Sequence, residues 1–180
     1  MTLLEWKAET EAIVEDLKAR TERLRSVPLE TLNRPVPGHW SALGCIDHLL
    51  LSGNPYLPRI RAALEGLPAA DPGTEVRFGR VASYLMKMVG PNAPNNVPVP
   101  KMAEPPAVER DAETLDRYLS HLEEIRELVR QAGERDCAKA LVQSPMSALV
   151  RMSVPEALRV IAIHGLRHVG QAERAVDRTA

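Results

Sequence analysis

Cysteine is scarce: Cys45 and Cys137 are the only two in a chain of 180 residues. A chain of that length with 44% hydrophobic and 26% charged residues can build its own core, so a disulfide scaffold is not needed and both thiols are expected to be free, in a reducing compartment. A surplus of charge is lacking too. The net charge is −1 and no dense Lys/Arg block occurs, so nothing supplies the phosphate-neutralising footprint of a nucleic-acid binder or of a protein held on an anionic membrane. No apolar run reaches the roughly 18 residues of a membrane span, and the charged, amphipathic N-terminal stretch has no signal-peptide core. A cytoplasmic protein is expected. There is no Gly-rich phosphate loop, no Gly-x-Ser-x-Gly elbow, no internal repeat, no low-complexity tract and no convincing strand pattern. By length the chain is expected to be one domain over residues 1–180.

What is present is helical periodicity. The first helix is expected from about Leu4 to Ser26, with Trp6, Ile13, Leu17 and Leu24 at helical spacing, a charged outer face and Pro28 at the exit. Asn33 to Gly38 carries two prolines and a glycine and reads as an ordered loop delivering His39 and Trp40 to Ser41, a good N-cap. The second helix is expected to follow with Leu43, Ile46, His48, Leu49 and Leu50, and to run, kinked at Pro55 and Pro58, to about Glu65 before Gly66.

Residues 67–108 hold eight prolines, Pro72 and Pro94 among them, and read as a long crossover, mostly extended. Within it Phe78 to Val89 reads as a short helix with Val81, Tyr84, Leu85 and Met88 on one side, which covers one flank of the fold; Tyr84, Leu85 and Met88 are candidates for a homodimer contact. The third helix is expected over Ala112 to Ala132, its core face formed by Leu115, Tyr118, Leu119, Leu122, Ile125 and Val129, ending at Gly133. Ser153, with Pro155 next to the first turn and Glu156 at the capping-box position, starts the fourth, to about Asp177. The class expected is all-α: a four-helix bundle whose proline-rich crossover between helices two and three lets those two run parallel.

The chemistry sits on the fourth helix. Four residues of spacing put His164 and His168 one turn apart, about 40° apart around the axis, so both imidazoles can reach one point beside the helix. Ala157, Ile161, Gln171 and Ala175 share their stripe, while Arg159, Glu173, Arg174 and Asp177 lie away from it, so the pair points inward. A third ligand is needed for a metal site. On the second helix His48 shares its face with Ser41, Gly44, Cys45 and Ser52, all small, which suits either a metal with an open position or close helix packing, and spacing alone does not choose. Buried histidines held by core hydrogen bonds without metal are the plain alternative. Cys45, three residues before His48, is an extra ligand, a nucleophile or, more simply, a small core residue. His39 and His121 read as surface or edge residues, His39 with the option of lining a site mouth beside Trp40. Asp47 lies about 100° from His48 on the wheel and reads as solvated. Gly165 stands where a zincin needs its general-base glutamate, which disfavours protease chemistry.

Trp40-Ser41 followed by His48-Leu49, and the late His164-x-x-x-His168 followed by Gly170-Gln171, resemble the DinB-like superfamily, also called the damage-inducible or thiol-dependent S-transferase bundle family, over nearly the whole chain. The resemblance implies a mononuclear divalent-metal site with His48, His164 and His168 as ligands and water in the open positions; imidazole donors suit zinc, nickel, iron or copper, of which zinc, nickel or iron is expected. It implies a metal-dependent enzyme acting on a small molecule, an S-transferase or isomerase using a low-molecular-weight thiol. A metal-dependent hydrolase and a non-catalytic metal-binding bundle are the alternatives, since fold does not give reaction.

Overall fold

Capping boxes start the two longest helices. Thr2 Oγ1 accepts from Glu5 N and Glu5 Oε2 accepts from Thr2 N at 2.7 Å, opening α1 (Leu3–Leu24). Ser153 and Glu156 repeat the arrangement at the start of α7 (Val154–Asp177). Each satisfies amide donors that the first helical turn leaves orphaned. The computed structural model describes residues 1–71, 73–93 and 98–178; Pro72 and Pro94 of the crossover lie outside the described residues.

A five-residue helix, α2 (Leu29–Asn33), follows α1. The chain then turns from Val36 to His39 through Gly38, whose φ of +72° is one that a side chain would strain. That turn sets Trp40 and the N-cap Ser41 ahead of α3 (Ala42–Gly53). The expected single kinked helix is in fact broken. A 3-10 turn over Asn54–Tyr56 separates α3 from α4 (Leu57–Leu64), with Pro55 in the turn and Pro58 in the first turn of α4, where its missing N–H costs nothing.

The crossover is tied down by its backbone. Leu3 N donates to Thr74 O, Val76 N to Met1 O and Asp136 N to Pro68 O. Its helix α5 (Arg80–Val89) lies against α7 and is held at both ends by α7 side chains. Glu156 Oε1 accepts from Gly79 N at 2.6 Å, and Arg167 donates to Gly90 O and Ala93 O. A 3-10 turn over Lys101–Ala103 then leads to α6 (Glu113–Ala132). Between α6 and α7, Leu141–Gln143 (β1) pairs antiparallel with Arg151–Ser153 (β2). This corrects the expectation of a chain without strands; three residues each are too few to show alternation.

The described residues are thus predominantly helical with one small two-stranded sheet. α7 packs on α3, α1 and α5, and α6 packs on α1 and α3. The buried apolar residues of these helices form one cluster, including Trp6, Leu17, Leu43, Ile46, Ile125 and Leu158. Trp6 Nε1 donates to Pro155 O, and Arg159, expected on the polar side of α7, is instead buried with Glu9, Thr10 Oγ1 and Trp6 O as partners. Cys45 and Cys137 are free and buried. Among the described residues no helix is long and apolar enough to cross a membrane.

Candidate metal centre

α3 and α7 pack together, and each presents histidine to the other. His48 is 4% exposed and His168 6%. The ring centroids lie 5.0 Å apart for His48 and His164, 4.4 Å for His48 and His168, and 4.5 Å for His164 and His168. Each residue offers one ring nitrogen within 4.8 Å of the other two, and the group could hold a metal ion.

The hydrogen bonding says which nitrogens face inward. His48 Nδ1 is 2.7 Å from Ala103 O; a carbonyl only accepts, so Nδ1 carries the proton and Nε2 offers a lone pair. That Nε2 is 3.2 Å from His164 Nε2. Two nitrogens bound to one ion at about 2.1 Å each would stand roughly 3 Å apart, so the spacing fits a shared cation. A ligand imidazole whose other nitrogen donates to a backbone carbonyl is the arrangement that fixes tautomer and ring orientation. His168 Nδ1 is buried with no hydrogen-bond partner.

Burial keeps the three rings neutral. It is the first cause of the lowered pKa of each, taking His164 down to about 3, with the neighbouring His48 and Arg167 adding to it. At His168 the proximity of His164 and His48 adds further, while at His48 the bond to Ala103 and the charge of Asp47 partly oppose. Neutral imidazole is the metal-binding form.

Trp40 caps the group, its ring centroid 4.8 Å from that of His48 and 5.8 Å from that of His168. Beside it opens a cavity of about 870 Å³, walled by Leu49, Leu85, Met88, Tyr118 and Ile161. Tyr84, Leu85 and Met88 all line this cavity, Leu85 and Met88 half-buried and Tyr84 62% exposed. His39 is exposed and lines the same cavity, as the option for it allowed. A side chain at Gly165, where a zincin has its glutamate, would force Leu17 to shift, because a Cβ there would come within 2.6 Å of Leu17 Cδ1. Cys45 is outside the three-histidine group; burial pushes its thiol up to about 12, with Arg174 and Arg110 partly opposing, so it is no thiolate at neutral pH.

Two expectations are corrected. His121 is buried at 4% exposure, its Nδ1 without a partner, and it lines the cavity. Thr114, His121 and Leu128, seven residues apart in turn, are all buried, so the buried face of α6 is wider than its apolar stripe, and two of the three being polar left no apolar pattern to announce it. Asp47 is half-buried and paired to Arg110 Nε at 2.9 Å, tying α3 to the end of the crossover.

The sequence profile of the DinB superfamily matches residues 10–172. The chain belongs to the DinB superfamily. The match runs from α1 to a point past His168, so all three histidines lie inside it. No curated protein and no solved structure matches this DinB superfamily member.

Proposed function

We propose that His48, His164 and His168 bind one divalent ion, zinc, nickel or iron, and that the protein is a metal-dependent enzyme of the DinB superfamily acting on a small molecule with a low-molecular-weight thiol as co-substrate. The observation that carries the reading is the pair of Nε2 atoms 3.2 Å apart with the His48 proton committed to Ala103. An ion bound there would supply a Lewis acid that lowers the pKa of a thiol or water and favours its anion as nucleophile. The chain's own residues do the rest. Ala103 O orients His48, Trp40 shields the rings from bulk water, and the cavity has the volume of an organic substrate and thiol together. α1, α3, α6 and α7 are read as the four-helix bundle of the family within one domain, with α5 on its flank. Tyr84, 62% exposed on α5, with half-buried Leu85 and Met88 beside it, is the surface for pairing with a second copy. The two free thiols fit a cytoplasmic setting.

Elemental analysis of purified protein and of the His164→Ala and His168→Ala variants, followed by a thiol-transfer assay against a generic electrophile, tests the proposal. About one ion per chain is expected in the wild type, most of it lost in either variant, with turnover that needs both ion and thiol. Equal metal content in all three proteins would refute the site. Metal-dependent turnover without thiol would favour the hydrolase reading, and bound metal without turnover the non-catalytic one.

A further inference from the structure

The cavity beside the three histidines is electrically one-sided. The chain carries 24 acidic residues, yet among the described residues no Asp or Glu lines the cavity, while Arg167, Arg174 and Arg178 do. Arg167 spends donors on Gly90 O and Ala93 O. Arg174 and Arg178 are exposed and have no carboxylate partner among the described residues. Of the two acids beside them on α7, Glu173 is already held by Arg20 at 2.5 Å and approached by Arg23, and Asp177 is exposed and makes no ion pair among the described residues. Polar residues that line the cavity follow His168 along α7: Gln171, then Arg174, which reaches it from outside the histidine stripe with Nη1 beside Gly170, then Arg178, roughly 5, 9 and 15 Å of helix beyond it. In the other direction the α7 wall is Val160, Ile161 and Ala162, all apolar.

We propose that the substrate is an apolar organic molecule with a carboxylate, held so that the carboxylate meets Arg174 and Arg178 while its body fills the apolar cavity beside the histidines. Guanidinium is the side chain suited to a planar carboxylate. The two arginines sit at the C-terminal end of α7, where the helix dipole opposes any anion, so the attraction has to come from the guanidinium groups themselves. The substrate class rests on the reading of the three histidines as the reacting end of the cavity; the recognition of the anion does not.

The test uses dansyl-aminoundecanoic acid and its methyl ester as probes, titrated by fluorescence into the full chain, with chelator and again with added zinc. The acid is expected to bind about tenfold tighter than the ester in both conditions. In the Arg174→Gln/Arg178→Gln double variant that preference should vanish with ester binding unchanged, and in Arg174→Lys/Arg178→Lys part of it should remain. Acid and ester binding equally, neither binding, or a preference that survives the glutamine substitutions would each overturn the proposal. Elemental analysis of the same samples separates the two readings. A carboxylate preference in protein that takes up no metal would sink the metal centre alone, and metal uptake without the preference would sink this inference alone.

Discussion

His121 offers a measurement of burial that is independent of the metal centre. Its ring is buried with an unpartnered Nδ1, and burial lowers its pKa from 6.5 to about 4. In the unfolded chain the imidazole regains its ordinary value. Between those two values the unfolded state binds a proton that the folded state does not, so stability is intact above pH 6.5 and falls as the pH drops, the loss levelling off below about 4. At about pH 5 the unfolded chain is almost fully protonated at this site and the folded one almost not at all, a loss of about 2 kcal/mol; the full span amounts to about 3 kcal/mol. Urea unfolding of wild type and His121→Leu at about pH 8 and about pH 5, all with chelator, reads the effect. Subtracting the two pH values within each protein cancels whatever the leucine does to packing, and the buried histidines of the other cluster contribute equally to both. Wild type should lose about 2 kcal/mol more than His121→Leu. Equal losses would mean that His121 is solvated in the folded protein, and that its place in the cavity wall is wrong.

The space His121 occupies exists because residue 53 has no side chain. A Cβ on Gly53 would stand 2.6 Å from His121 Nε2 and 2.8 Å from Cε1, so Gly53→Ala should destabilise by about 1–3 kcal/mol in urea unfolding, and adding His121→Ala should relieve the clash; strictly additive effects would refute the contact. For the metal, an ion at a hundredfold excess over its dissociation constant would stabilise the fold by about 2.7 kcal/mol, so chelator should lower the wild-type melting temperature in a thermal scan. With His48→Ala, chelator should do little more, since one helix alone then holds the ion; equal drops would remove His48 from the ligand set.

Local signals survived folding best. Ser153 with Glu156 places the start of α7 within one residue because a capping box is made by neighbours in the chain, and the His164/His168 pair needed only the period of that helix. His48 was legible as a small-residue face, but its choice as partner came from the family resemblance, since nothing in a wheel says which helix lies opposite. The misses are tertiary. His121 turns inward because a glycine on α3 makes room for it, Asp47 meets an arginine 63 residues away, and Arg159 goes inside because α1 offers Glu9, Thr10 and a carbonyl. The break between α3 and α4 was foreseen as a bend, and β1 and β2 are shorter than any pattern that could announce them.

α5 is fastened at both ends by side chains of one helix, Glu156 at its start and Arg167 just past its end. A wall pinned twice to α7 cannot swing on a single hinge, so α5 and α7 should open together or not at all, as one cooperative unit. Because α7 also carries two of the three histidines, any fluctuation large enough to lift that wall would disassemble the site it covers. A ligand that left the three histidines in place would therefore have to enter with α5 still seated against α7.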